Sequence, residues 1–561
     1  MVCSEPSARV RTTRSRTGWS RAASTASTTK DWALLREIMV PGVNAFFAPG
    51  TPAHSRASQR DLRHFCPPSK PRRSNRLVPA GPAGQAGPVA VPEPGAVPDR
   101  ADGERAGELD VSKAELAGAD PADADRAGAR ELLRLAVPAL LVLAAEPLYL
   151  LVDTAVVGHL GAVPLAGLAI GAVLLAQVSS QLNFLSYGTT ARAARLHGAG
   201  RRAEAVGEGV QSTWLALGVG AVLVLIGELV AGPVARALAG GTGPVSDAAL
   251  SWLRIALPGA PLVLVTLAGN GWMRGVQDTA RPMRIVLLGN GLSAIACPVL
   301  VYGLGGVPAL GMVGSAVANV SGQLVAAVLF IRALLRERPP LAPVPALLRA
   351  QLIMGRDLVL RSLGFQACFL SAAAVAARFG APSVAAHQVV LQLWNFQALV
   401  LDSLAIAAQS LVGAALGAGG ADRARRVATR VSRYGLVLGC GFGVLFAALA
   451  GVLPRLFTND AEVLAAIPVA WWFFVALQPV AGLVFALDGV LLGAGDARFL
   501  RTWTLLAAFC GFLPLIWLSL VFRWGLAGIW TGLAMFMLVR LVSVVARSRS
   551  GAWAVTGAVR H

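Results

Sequence analysis

Charged side chains are scarce in this sequence of 561 residues. Asp, Glu, Lys and Arg make up 14% of it, whereas hydrophobic residues make up 55%. The mean hydropathy of +0.62 is far above that of an average soluble globular domain. This scarcity excludes a soluble globular fold for most of the chain.

Cysteine and histidine are equally rare, with six residues of each type. No two cysteines form a CxxC pair or show the spacing of metal ligands, so we expect no disulfide framework, no metal site and no cofactor. The histidines are scattered, and no cluster of His, Asp and Glu stands at catalytic spacing. We therefore expect that the protein is not an enzyme.

The first 130 residues have a different composition from the rest. Residues 1–80 carry 14 Lys and Arg against 4 Asp and Glu, and residues 81–130 carry 5 against 10. Such stretches lack the apolar content that offsets the entropy of ordering a chain. We expect residues 1–130 to be disordered, or to be a mis-called extension of the true N-terminus. A transit peptide is the weaker alternative, because an acidic stretch follows the basic one.

Twelve apolar runs follow, each with the length of roughly 20 residues that a helix needs to cross a bilayer. The predicted fold class is an all-α polytopic membrane protein with an N-lobe at 131–335, an inter-lobe loop at 336–352, a C-lobe at 353–546 and a tail at 547–561. The predicted spans are 132–156, 164–187, 210–232, 249–272, 283–304, 309–332, 353–377, 383–410, 434–456, 466–490, 500–521 and 525–546.

The formal charge of +19 comes largely from arginines in alternate connections between the spans. They crowd the connections that follow the second, fourth, sixth and eighth spans. By the positive-inside rule these connections and both termini are cytoplasmic, in an inner (plasma) membrane protein. The charge is thereby explained as a topology signal, and no nucleic-acid partner is expected.

Several landmarks recur at one offset along the chain. The sequence Gly-Ala-Gly occurs at 198–200 and again at 417–419, 219 residues later. Further pairs at offsets of 218 or 219 are Gly161 with Gly380, Gly275 with Gly493, and Asp278 with Asp496. Because six spans is an even number, both halves enter the membrane in the same direction. We predict a parallel internal repeat of two six-helix lobes with a cavity between them, in a monomer.

Few ionisable residues lie inside the spans, where each costs about 2.5–3.5 kcal/mol and must face protein or water. Asp402 and Asp488 have Asn183 and Asn270 as their repeat partners. Since both halves carry a hydrogen-bonding group there, we assign Asp402, Asp488, Asn270 and the seventh-span Arg361 to substrate binding or to a structural role. Replacing Asp488 by Asn, the residue type of its repeat partner, is accordingly expected to harm export less than the same replacement at Asp153 in the first span.

The first span is different, because Glu146 and Asp153 have no acidic partner in the second half. Pro138 and Pro147 lie in the same span, and each removes a backbone hydrogen bond and lets the helix bend. A bendable helix with a titratable acid can act as a switch. We therefore predict that Asp153 and Glu146 take part in cation coupling.

Five segments together resemble the multidrug and toxic compound extrusion (MATE) transporters, and specifically their DinF-like branch. They are EPLYLLVDTAVVGHLG at 146–161, NFLSYGTTARAAR at 183–195, RGVQDTARP at 274–282, LDSLAIAAQSLVGAALGAG at 401–419 and DGVLLGAGD at 488–496. The resemblance covers essentially all of 131–546. It implies twelve helices in two lobes, and antiport of small, often cationic or amphipathic compounds against protons or sodium ions.

The resemblance also bears on the coupling site. The family's first-lobe acid, fifteen residues after a proline, matches Asp153 and Pro138. In the fifth span Asn290 matches the family's asparagine, but Cys297 replaces the acid that follows seven residues later. Asp153 is then left with neutral groups such as Asn183 and Asn290. The loss of an oxygen ligand favours protons over sodium ions.

Two other transporter classes are alternatives. A major-facilitator protein also has twelve helices in parallel halves, but the connection after its second span typically reads GxxxDRxGRR, and here it reads LHGAGRRAEAVGEG. A flippase for lipid-linked precursors usually has more helices and a strongly cationic cavity. We expect only Arg361 to be buried within the spans, which disfavours the flippase.

The loop charges generate a topology prediction. Reporter fusions at Gly200, at Gly419 and at the C-terminus should all report a cytoplasmic location, because arginine-bearing loops are retained on that side. A periplasmic signal at any one of the three positions would contradict the model of two parallel halves.

Overall fold

The computed structural model describes residues 121–558, with side chains from residue 128 onward except at positions 178 and 180. This part of the chain consists of helices and contains no strand, which confirms the predicted all-α class. Residues 1–120 of the segment predicted to be disordered lie outside the described residues. The prediction is wrong for 121–130, which form the first turns of α1, because an alanine-rich stretch readily extends an adjoining helix.

The N-lobe contains eight helices, of which two pairs each form one span. The second span divides at Asn183, and the fourth contains the short 3₁₀ turn Leu257–Gly259. The helices are α1 (Pro121–Gly158), α2 (Ala162–Leu182), α3 (Phe184–Gly198), α4 (Arg202–Leu238), α5 (Pro244–Ala256), α6 (Ala260–Gly275), α7 (Ala280–Tyr302) and α8 (Met312–Arg336).

The C-lobe also has six spans, but its eighth and tenth spans are continuous helices. Its eleventh span passes through a π-helical segment at Ala507–Phe512. The helices are α9 (Pro345–Ala377), α10 (Ala381–Gly417), α11 (Ala421–Ala448), α12 (Leu453–Phe457), α13 (Ala461–Gly493), α14 (Ala497–Leu506), α15 (Leu513–Val521) and α16 (Gly525–Ser550). Eleven of the predicted spans in the described residues are long and apolar enough to cross a membrane, and the second contributes the shorter apolar helix Ala162–Gln177.

Two predicted boundaries differ from the structure. Only the part of the inter-lobe loop before Pro345 is non-helical, because proline in the first turn starts α9 within the predicted loop. The last helix continues past residue 546 to Ser550, where Gly551 adopts a left-handed conformation that ends it.

Large apolar side chains cover the outer surface of the helices. Leu229 on α4 is 72% exposed, Val444 on α11 is 72% exposed and Val521 on α15 is 73% exposed. In water such a surface would aggregate, whereas in a bilayer it faces lipid tails of the same polarity.

The two lobes meet at the end that carries the arginine-bearing connections. A Cβ atom on Gly198 would overlap the carbonyl oxygen of Ala414, and a Cβ on Gly417 would overlap that of Arg195. These two contacts are related by the offset of 219, which makes the interface symmetric in the manner of a two-fold axis. Gly413 meets Ala194, its own partner at this offset. The predicted parallel repeat is therefore visible in the lobe interface.

Hydrogen bonds reinforce this contact. Ser410 donates to the carbonyl of Arg274 at 2.7 Å, and the Gln409 amide donates to the carbonyl of Tyr187 at 2.7 Å. Gln351 at the start of the C-lobe donates to the Glu208 carboxylate of α4 at 2.7 Å. Each of these bonds joins one lobe to the other.

The chain after α16 crosses the same end of the molecule. Arg195 of the N-lobe donates to the carbonyls of Val555 and Gly557, both at 3.0 Å. Trp553 is buried in the C-lobe core, while Ala558 packs against an N-lobe cluster. The terminal segment thus contacts both lobes.

The close approach of the lobes predicts the effect of adding a side chain at Gly417. Gly417→Val should separate the lobes, because valine would overlap the Arg195 carbonyl. Spin labels at the exposed positions 201 and 423, in a background without other reactive cysteines, should show a longer distance by double electron–electron resonance.

Gly207 provides the matched control, since a Cβ there would meet nothing within 4 Å. Gly207→Val should leave the distance distribution unchanged. An unchanged distribution for Gly417→Val as well would show that this contact does not hold the lobes together.

Candidate functional site

Asp153 lies in the core of the N-lobe. It is 0% exposed on α1, and the thiol of Cys297 on α7 donates to its Oδ1 atom at 3.3 Å. Its Oδ2 atom is buried and has no hydrogen-bond partner among the described residues. The residue that replaces the family's acid therefore contacts Asp153 directly. Only one of the two carboxylate oxygens therefore has a hydrogen-bond partner in the described residues.

Polar groups from two further helices surround Asp153. Ser315 on α8 neighbours the carboxylate and accepts a hydrogen bond from the indole of Trp252 at 3.2 Å. Tyr149, one turn before Asp153, is buried with its hydroxyl beside Asn319. Sequence reasoning missed Ser315 and Asn319. A signal was available, since both lie on one face of the apolar sixth span.

The other residues predicted for cation coupling lie apart from this pocket. Asn290 is two turns before Cys297 on α7, and its amide donates to the carbonyl of Val286 at 3.0 Å. Glu146 is exposed on α1, and Asn183 is exposed at the division between α2 and α3. Asn183 lines a different cavity. The structure brings together Asp153 and Cys297 and does not bring Asn183 to them.

Both predicted bending positions lie inside a continuous helix. Pro138 and Pro147 occur within α1, which extends from Pro121 to Gly158. The part before Pro138 packs against the C-lobe core through Leu132 and Leu135. The part that follows Pro147 carries Asp153. The two prolines therefore separate a C-lobe contact from the buried acid.

A cavity of about 300 Å³ lies between the lobes. Its N-lobe wall is the start of α3, and its C-lobe wall is formed by α9, α10, α13 and α16. The wall is largely apolar and aromatic, with a few charged groups, as in many ligand sites. The aromatic residues are Phe184, Tyr187, Phe365, Phe369, Trp394, Phe485 and Phe536.

Three charged residues form a cluster in this cavity. Arg361 donates to Oδ2 of Asp488 at 2.5 Å, and Arg540 on α16 donates to the same oxygen. The expectation that Arg361 would be the only arginine buried within the spans is wrong, since Arg540, in the predicted span 525–546, is 2% exposed. The sequence analysis did not predict Arg540, because a single charge in a strongly apolar run changes the mean hydropathy very little.

Asp402, on α10 in the same C-lobe wall, links the lobes. Tyr187 on α3 donates to its Oδ2 atom at 3.0 Å, and Arg274 and Arg361 both act on it electrostatically. Asn270, the repeat partner of Asp488, is buried in α6 and its Oδ1 atom has no partner among the described residues. The two partners thus have different surroundings, a guanidinium pair for Asp488 and none for Asn270.

A second cavity of about 520 Å³ opens at the arginine-bearing end. Each of its three acidic residues is paired with an arginine. Glu208 pairs with Arg192 at 2.6 Å, Asp357 with Arg501 at 2.6 Å, and Asp496 with Arg547 at 2.8 Å. In the described part of the chain, no group of three or more His, Cys, Asp or Glu is placed to hold a metal ion.

Comparison with known proteins agrees with this architecture. The family model described as MatE matches residues 138–299 and again 358–517. The two matches begin 220 residues apart and end 218 apart, which agrees with the offset of the internal repeat.

Similar proteins come from plants and bacteria. Protein DETOXIFICATION 44, chloroplastic, from Arabidopsis thaliana is 33% identical over 75% of this chain and 83% of its own. DNA damage-inducible protein F from Escherichia coli (strain K12) is 30% identical over 76% and 94%.

Solved structures share the fold. One, titled as a MATE in the bent conformation, has a TM-score of 0.69 at 20% identity and covers 76% of this chain and 94% of its own. Another, titled as the outward-facing conformation of a multidrug resistance MATE family transporter, has a TM-score of 0.66 at 21% identity, over 75% and 94%. With its duplicated match, its two lobes and these relatives, the chain belongs to the MATE family of membrane transporters.

Proposed function

We propose that this protein is an antiporter that exports small organic compounds in exchange for protons, and that it acts as a monomer in the inner (plasma) membrane. Family membership supports transport, and it favours an antiporter over the flippase and the major-facilitator alternatives. The cavity is built from the two lobes of one chain, so a second copy is not needed. The loop arginines support cytoplasmic termini.

The lobe contacts support an outward-facing arrangement in the structure. The lobes touch at the arginine-bearing end, through Gly198 and Gly417. If that end is cytoplasmic, the inter-lobe cavity is closed from the cytoplasm and is reached from the other side. Transport then requires that these contacts break while others form at the opposite end.

The observation that supports the coupling role is that only one of the two carboxylate oxygens of Asp153 has a hydrogen-bond partner in the described residues. A fully buried acid with one oxygen unpartnered is costly when ionised and much less costly when protonated. Cys297 offers only a weak thiol donor. Sodium prefers several oxygen ligands, and the contacts of Asp153 include a sulfur where another acid could stand, so they support a proton.

Replacement of Asp153 tests this role. Asp153→Asn keeps the shape of the side chain and removes its titration, so gradient-driven export should fall to background although the protein inserts normally. The measurement is dye efflux in inverted vesicles under an imposed proton gradient, with a sodium gradient as the comparison.

Asp247→Asn is the matched control, since this acid is exposed on α5 and should be silent. Export by Asp153→Asn at the wild-type rate would place coupling elsewhere, with Asp402 and Glu146 as the next candidates. Export driven by sodium alone would contradict proton coupling.

Asp488 has a structural role in this proposal, as the shared counter-ion of Arg361 and Arg540. The sequence predicts only that Asp488→Asn harms export less than Asp153→Asn does, and the ion pairs add an expectation about stability. Removing one partner of a buried ion pair costs about 3–5 kcal/mol, because the remaining charge is left unpaired. We expect a clearly lower melting temperature in detergent.

The control is Asp422→Asn, which breaks the surface pair with Arg425, where the side chains are 80% and 54% exposed. Exposed pairs contribute little, so the melting temperature should barely change. Equal melting of the Asp488 variant and the wild type would show that the arginines do not depend on this carboxylate.

A further inference from the structure

The buried charges around the inter-lobe cavity do not balance. Arg361 and Arg540 line it together with Asp402 and Asp488. Arg274 lies behind this wall and acts on Asp402 and Tyr187. These five groups leave one positive charge in excess. Because an unbalanced charge in a membrane interior is costly, a ligand with one negative charge would be stabilised here.

Arg361 is the arginine that can meet such a ligand. Its side chain is 14% exposed, against 3% for Arg540. One of its terminal nitrogens binds Asp488 and its Nε atom is buried, so the exposed part of the guanidinium is what a ligand can reach. A guanidinium that is still partly exposed while paired with a carboxylate suits the oxygens of a second carboxylate, a sulfonate or a phosphate.

Aromatic rings fix the two guanidinium groups in place. Arg361 lies over the ring of Phe365 at 5.6 Å from its centroid, and Arg540 lies at 5.0 Å from the same ring. Such contacts hold a cation over a ring face. Phe369 and Trp394 extend the aromatic wall, which offers stacking surface to a planar ligand.

The positive group belongs to the C-lobe alone. At the offset of 219, which relates Asp153 to Ala372 and Glu146 to Phe365, the N-lobe partner of Arg361 is Val142. The repeat therefore does not require an arginine at this position. A charge that the fold does not need, placed at the wall of a cavity, points to a ligand.

We propose that this cavity binds amphipathic aromatic compounds with one anionic group, with Arg361 contacting that group and Arg540 and Asp488 positioning Arg361. The inference rests on the proposed function in one respect, since it takes the cavity to lie on the export route. It names a substrate class, aromatic monoanions, that differs from the cationic compounds expected from the family resemblance.

The test uses two probes with the same ring and opposite charge, 2-naphthoate and 2-naphthylmethylammonium. Binding to the full-length protein in phosphatidylcholine nanodiscs is measured by calorimetry without any gradient. We expect saturable binding of naphthoate, and binding of the ammonium compound at least about tenfold weaker, the value of one charge-assisted hydrogen bond.

Three variants locate the site. Arg361→Gln should weaken naphthoate binding about tenfold, and Arg361→Lys should retain part of it because the charge remains. Arg284→Gln removes an exposed arginine of α7 outside the cavity and should bind as the wild type does. Melting temperatures of all variants confirm that they are folded.

Several outcomes would overturn the proposal: no naphthoate binding, tighter binding of the ammonium compound, or equal naphthoate affinity for Arg361→Gln and the wild type. Occupation of the site by short-chain phosphatidylglycerol to the exclusion of naphthoate would identify a lipid headgroup as the ligand and would also overturn it. Gradient-driven transport of naphthoate in proteoliposomes is measured separately. Arg361-dependent binding without such transport would leave the anion site standing and contradict the placement of this cavity on the export route.

Discussion

A polar group inside a bilayer must find a partner within the protein, because no water is present to satisfy it. The lobes are arranged around this constraint. Asp488 forms ion pairs with two arginines, and Asp402 accepts a hydrogen bond from the Tyr187 hydroxyl. Gln409 and Ser410 donate to backbone carbonyls of the other lobe. Among the buried atoms in the described residues that lack a hydrogen-bond partner is Oδ2 of Asp153, which can accept a proton. Arg361 stays partly exposed at the cavity wall and can pair with an anion.

The contacts between the lobes are made mostly by uncharged groups, so the interface can open. Its closest points are backbone atoms at Gly198 and Gly417, and its hydrogen bonds are made largely by hydroxyl, amide and carbonyl groups. Opening such a surface exposes groups that water satisfies at the arginine-bearing end, and it leaves few buried charges unpaired. The segment after α16 adds contacts to both lobes through Arg195 and Trp553. Two arrangements of similar energy are what alternating access requires.

The architecture was predictable from the sequence, because spans and repeats are properties of composition and spacing. Mean hydropathy located the helices, and the glycines at 198 and 417 indicated the symmetry that the interface displays. Partners across helices were less accessible. Arg540 escaped notice because one charge hardly changes the average of an apolar run. The repeat partner of Asp488, Asn270, gives no indication of the two arginines that contact Asp488. Ser315 reaches Asp153 only through the packing of α8 on α1, which spacing does not determine.

The proposed proton site and the proposed anion site lie in different lobes, so exchange requires an element that responds to both. Helix α1 meets this requirement. Its first turns pack against the C-lobe core through Leu132 and Leu135, its later turns hold Asp153 in the N-lobe, and Pro138 and Pro147 lie between. A change in the charge of Asp153 alters the cost of burying that part of α1. Bending at the prolines then moves the turns that contact the C-lobe. A ligand favours one lobe arrangement only as far as it binds that arrangement more tightly than the other. This holds for the proton and for the anion alike. On this proposal, the proton and the anion stabilise opposite lobe arrangements, and α1 is the helix that couples the two binding sites.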